Sequence, residues 1–173
     1  GDKVEIASGG SYVIRFQDTG FWLAKYAARK GYHKPTGTIA LNYCNNLRIF
    51  RYAETLLAYA ELVGVEGVAE QKGISAQQCL DMVRDRAFGD TNHRVAVNKQ
   101  NIINENHYEF VGEGHRYYDV VRWGITEVLN VGNVPGINSA RTWKSHNKYV
   151  AIPQGDIDAT KGTEFELKQN EGY

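Results

Sequence analysis

Cysteine occurs twice in this chain and methionine once, and the charges cancel. Two cysteines, Cys44 and Cys79, are too few for a disulfide framework, and their spacing leaves the redox compartment undecided. Cys79 stands beside Leu80 in a predicted helix, where a buried thiol is the expected reading, and no bridge to Cys44 is expected. The single methionine, Met82, implies a chain that starts at neither a native start codon nor a leader, so a truncated or processed chain is expected. Twenty basic against twenty acidic residues give a formal net charge of zero, which lacks the basic stripe of a nucleic-acid binder. No apolar run is long enough to cross a bilayer as a helix, and no signal peptide is visible. HExxH, CxxC, GxSxG and phosphate-loop patterns are all missing.

What is present is one domain's worth of sequence, 173 residues, enough to bury an ordinary core. Residues 12–15 and 21–26, separated by the turn signal QDTG at 17–20, predict a short hairpin. Residues 1–44 otherwise read as loop. From residue 45 the pattern turns helical. Ile49, Ala53, Leu56, Ala60 and Val63 share one stripe, widened by Phe50 and Leu57, and Gly64 ends it. Ala53, Ala58 and Ala60 leave room for a close neighbouring helix.

A second helix opens at Ser75, with Gln78 three residues on as a capping box, and closes at Gly89. A third is predicted over 99–111 and a fourth over 115–129. The fold class is therefore mainly α: four helices in two antiparallel hairpins over 45–129, with a short N-terminal β-hairpin. Residues 130–173, rich in Gly, Asn and Lys, read as a long irregular segment wrapping the helices.

The stretch 105–123 carries charge where a helix should bury apolar groups. Glu105, Glu109 and Glu113 stand four apart on one face, and Arg116, Asp119 and Arg122 stand three apart after Gly112 and Gly114. Glutamates stacked at that spacing repel one another unless cations meet them. A network of these six residues with Arg51, buried between packed helices, is the architectural reading. As a catalytic pair, Glu109 and Glu113 fit poorly, because glycosidase carboxylates flank a scissile bond from separate elements. His115 and Asp119 are at four-residue spacing, but two ligands do not close a metal site, so no metal and no cofactor are expected. His33, His93, His107 and His146 are isolated in polar stretches. Aromatic residues make up 12% of the chain. Exposed rings can stack on sugars, for which Trp22, Tyr32 and Trp143, with Tyr26 and Tyr149, are candidates, although most rings fill cores.

Several strings resemble one family. IFRYAETLLAYAE at 49–61 looks like the RyAEvlLmyAEA helix of the SusD/RagB outer-membrane lipoproteins of Bacteroidetes. VRDRA at 83–87 is similar to their VRxRA segment, and ENHYEFVGEGHRYYDVVRWG at 105–124 to ERxxEfxxEGhRwfDlvRwg. IPQ at 152–154 with DID at 156–158 resembles the PIPqxEid turn, QNEGY at 169–173 the terminal QNPGY, and FWLAKY at 21–26, more loosely, the tGyylrKy strand. Departures are Asn106 for an arginine, and Ala151 and Glu171 for prolines.

The resemblance implies a tetratricopeptide-like scaffold forming the C-terminal part of a longer protein. It implies a cell-surface lipoprotein of the outer membrane, anchored through an N-terminal lipid that neither Cys44 nor Cys79 can carry. Its partners would be a SusC-type TonB-dependent transporter and an oligosaccharide or other nutrient, bound without catalysis. The family's ligand site lies largely in more N-terminal segments, so none of its residues carries over. The other reading is a helical-repeat domain that binds a protein and no sugar.

Overall fold

The computed structural model describes residues 3–5, 11–13, 23, 25–26, 46–132 and 140–173. They fall into two compact units, one reaching to Arg116 and the other spanning Tyr117–Tyr173. The chain is mainly helical.

In the first unit, strands β1 (Lys3–Glu5) and β2 (Ser11–Val13) pair antiparallel with Val4 opposite Tyr12. This corrects the expected hairpin. The strand around Tyr12 is paired with residues that precede it, while Lys25 and Tyr26 form a turn closed by the Tyr26 N–H on the Leu23 carbonyl. Most of the expected second strand, with the QDTG turn, lies outside the described residues.

Helix α1 (Tyr52–Gly64) begins later than the apolar stripe suggested. Ile49 is 85% exposed and Phe50 is also exposed. An extra turn there would bury nothing, and a helix gains most of its stability by packing an apolar face. Helix α2 (Ala76–Phe88) obeys its sequence signals. The Ser75 hydroxyl accepts the Gln78 N–H at 3.1 Å, and the Gln78 side chain accepts the Ser75 N–H at 2.8 Å. Gly89 takes the left-handed φ of 76° that ends the helix.

Helix α3 (Lys99–Glu109) is capped by the Asn98 side chain, which accepts the Asn101 N–H at 2.9 Å. Both α2 and α3 pack on α1, around Leu56, Leu57, Ala60, Leu80, Val83 and Ile102. Ala60 is fully buried at that contact, whereas Ala58 faces solvent. The Gln77 side chain ties down the connection to α3. It donates to the Val95 carbonyl at 2.8 Å and accepts the Val97 N–H at 3.0 Å.

In the second unit, α4 runs over Arg116–Trp123 and is followed by a 3-10 turn, Thr126–Leu129, not by one continuous helix. Gly124 with φ 69° makes the break. The remainder is more ordered than its composition suggests. An antiparallel bridge joins Val131 to Arg141, a 3-10 turn covers Ser145–Lys148, and α5 spans Gln154–Thr160. The terminal residues are clasped to the segment before α5. The Gln169 amide both donates to and accepts from the Ile152 backbone at 2.9 Å, as a paired strand residue would. Asn170 donates to the Val150 carbonyl at 2.7 Å, and the Tyr173 hydroxyl to the Tyr149 carbonyl at 2.8 Å.

Candidate functional site

The first unit holds a dense charge cluster where the α3 terminus meets the start of α1. Arg51, in extended backbone just before α1, spreads its guanidinium over two glutamates. Nη1 reaches Glu109 Oε1 at 2.6 Å, Nε reaches Glu113 Oε2 at 2.7 Å, and Nη2 reaches Glu113 Oε1 at 2.8 Å. Nη2 also donates to the Glu109 carbonyl at 3.0 Å, where the helix end leaves an acceptor free. Lys25 joins from the other side, 2.6 Å from both Glu113 Oε1 and that carbonyl. Arg86 of α2 completes the set at 2.6 Å from Glu109 Oε2. The Phe110 ring lies beneath the Arg51 guanidinium at 5.0 Å.

Burial works against the Glu113 carboxylate, but the hydrogen bonds from Arg51 and Lys25 outweigh it and hold its pKa below the ordinary value. Arg51 responds in kind: burial lowers its pKa, the bonds to Glu113 and Glu109 prevail, and the net shift is upward. All four carboxylate oxygens of the pair are occupied by cations. Such groups hold helices together. They are poorly placed to take a proton or attack a bond.

The six other members of the expected network are distributed differently. Glu109 and Glu113 meet Arg51 as described. Glu105 is buried but pairs with Arg84, which also donates to the His93 carbonyl at 2.5 Å. Asp119 pairs within its own helix with Arg122 at 2.8 Å, in the second unit. Arg116 Nη1 is buried with no hydrogen-bond partner among the described residues. Burial and the Arg116 charge both push the His107 imidazole below its ordinary pKa. Three cations that sequence reasoning left out, Lys25, Arg84 and Arg86, therefore replace Arg116 and Arg122. The VRDRA string at 83–87 held the signal for two of them.

Beside the cluster, a cleft of about 350 Å³ opens between α1 and α2. Tyr52, Leu56, Met82 and Val83 line it, with Arg51 and Arg86 at one side. Elsewhere His115 stacks on Phe110 with centroids 4.6 Å apart. Among the described residues no three His, Cys, Asp or Glu side chains are grouped to hold a metal. Cys79 is buried and unbridged, and burial raises its thiol pKa.

Of the sugar-stacking candidates, Trp22 and Tyr32 lie outside the described residues. Tyr26 carries the Arg48 guanidinium 5.4 Å over its ring, and Tyr149 carries the Lys148 ammonium at 5.1 Å. Trp143 is in the second unit, half-buried, its ring 5.9 Å from Tyr117. Its backbone N–H donates to the Asn130 side chain at 2.7 Å.

Comparison with known proteins adds identity to this geometry. The model of the SusD family matches residues 9–173. A surface glycan-binding protein A from Bacteroides fluxus superposes with a TM-score of 0.78 at 54% identity, over 96% of this chain and 35% of that one. Its namesake from Bacteroides thetaiotaomicron, solved in complex with laminarihexaose, gives a TM-score of 0.72 at 42% identity, over 94% of this chain and 33% of that one. A SusD-like protein from Formosa agariphila is 33% identical over 91 residues, 49% of this chain and 16% of that protein. The chain thus spans about a third of the length of the solved structures it matches.

Proposed function

The chain belongs to the SusD family, and on that premise we propose that it is the C-terminal portion of a non-catalytic, surface-exposed glycan-binding protein. The observation that carries this is the likeness to surface glycan-binding proteins at 42–54% identity over almost the whole chain. The ligand class is a β-glucan oligosaccharide of the kind held by the Bacteroides thetaiotaomicron protein. The whole protein sits on the outer membrane as a lipoprotein and delivers its sugar to a SusC-type TonB-dependent transporter. Within it, the first unit acts as scaffold. The Arg51–Glu109–Glu113 cluster supports that role, since its carboxylates lock the start of α1 to the end of α3 and have no lone partner for chemistry.

Affinity electrophoresis in gels containing laminarin tests the reading. A longer form that includes the preceding SusD-type segment should be strongly retarded, and the 173-residue chain only weakly. Unretarded migration of the longer form in laminarin and in other glucans would contradict it.

A further inference from the structure

Beyond Val120 no described residue is buried, so the course of residues 140–173 is not set by an apolar core of their own. Helix α5 has seven residues and no buried side chain, and a helix that short does not persist in water unaided. Val150 is 83% exposed and Tyr149 is also exposed, so apolar packing does not hold the segment before α5. Polar contacts do. The Gln169 amide gives Ile152 both bonds of an antiparallel pair, and its Oε1 also accepts the Asn170 N–H at 3.0 Å. The Asn170 side chain and the Tyr173 hydroxyl take the Val150 and Tyr149 carbonyls. Gly172, at φ 95°, lies so close to His146 that a Cβ there would come within 2.6 Å of the His146 Cβ. The Tyr173 ring then meets the imidazole edge to face, with centroids 4.9 Å apart. The turn that carries His146 is itself gripped by the Tyr117 hydroxyl, which donates to the Asn147 carbonyl.

We propose that residues 169–173 are a strap, in which Gln169, Asn170 and Tyr173 are positioning residues that fasten residues 145–168 into one unit that opens and closes on its own. The strap uses side chains where a sheet would use backbone. It satisfies the carbonyls of Tyr149, Val150 and Ile152 and the Ile152 N–H, all of which an unpaired extended segment would leave to water. Exposed bonds of this kind are individually weak, and a region with few buried apolar contacts is where local opening is cheapest. Ile152 and Gln169 stand seventeen residues apart, so their bonds must offset the entropy of closing the loop between them. Loss of one fastening bond therefore shifts the balance for the whole loop. All of these contacts lie inside the second unit, so opening leaves the packing of α1, α2 and α3 intact. The inference is independent of the ligand.

Amide hydrogen exchange, followed by NMR on the full 173-residue chain, tests the strap. Three amides report on it: Ile152, which donates to Gln169; Tyr149, which donates to the His146 carbonyl; and Leu167, which donates to the Thr160 hydroxyl oxygen. Gln169→Ala should speed exchange at all three together by about tenfold, the effect of losing one or two net hydrogen bonds. Tyr173→Phe, which deletes only the hydroxyl, should give the same pattern at smaller amplitude. Gln154→Ala breaks a side-chain bond to Asp158 inside α5 and should leave Ile152 and Tyr149 unchanged. The amides of Leu57 and Leu80, in the buried core of the first unit, should not respond to any of these changes. Faster exchange confined to Ile152 in Gln169→Ala would reduce the strap to one local bond and overturn it. No change at any of the three amides, or a rise that extends to Leu57 and Leu80, would overturn it as well.

Discussion

Arg51 serves two carboxylates at once, and the surrounding residues decide what its loss would cost. Glu113 is 2% exposed in its side chain, so without Arg51 it would keep, among the described residues, only Lys25 as a counter-charge in a site that water barely reaches. Arg51→Ala should therefore lower stability by about 3 kcal/mol, the low end for breaking a buried pair, as read from urea unfolding. Arg116→Ala should cost less than about 1 kcal/mol by the same measurement, because its buried Nη1 has no hydrogen-bond partner among the described residues. The reverse ranking would contradict the assignment of these two arginines. Acid should act through Glu113 as well. Its folded pKa lies below the ordinary 4.5, so the folded state prefers the ionised form. The stability this brings is complete above the unfolded value and is lost as pH falls through the folded one. Unfolding midpoints should drop below about pH 4.5. Glu113→Gln should start lower near neutral pH and lose less on acidification.

Elements depend on glycine at one close approach in particular. Gly112, which follows α3, has φ 77°, and a Cβ placed there would lie 2.1 Å from a Leu23 side-chain carbon. Gly112→Ala puts a Cβ on a left-handed backbone, while the exposed end of Leu23 can turn aside, and should destabilise by about 1–2 kcal/mol in thermal or urea melts. Wild-type stability would contradict the left-handed backbone at Gly112. The same contrast between local and distant causes explains which elements the sequence made legible. Helix α2 could be read at both ends because Ser75, Gln78 and Gly89 act within their own turns. The start of α1 could not, since Arg51 is engaged by partners at 109 and 113 and the residues before it find nothing to pack on. Glu105 and Glu109 share a face of α3 as their spacing suggested, but Glu113 does not, because the helix ends at Glu109 and Gly112 turns the chain before it. The cations that meet these glutamates did not follow from spacing, because Lys25, Arg84 and Arg86 are brought in by tertiary packing. In the tail, Gln169 and Asn170 hydrogen-bond backbone seventeen and twenty residues away, so low periodicity concealed an ordered clasp.

At the scale of the whole molecule, the packing of α2 and α3 on α1 builds the core of the first unit. The SusD family relationship was legible because its strings recur in order along the chain, from IFRYAETLLAYAE at 49–61 to QNEGY at 169–173. Ligand identity was not, since a sugar site is assembled from side chains that spacing does not bring together. The proposed activity is binding of glucan without cleavage. It is tested most directly by titrating laminarihexaose into a longer form containing this chain and then weighing the recovered sugar by mass spectrometry. A saturating binding isotherm and a hexasaccharide recovered whole are expected. A flat titration, or recovery of shortened oligosaccharides that disappear with Glu109→Gln or Glu113→Gln, would contradict it.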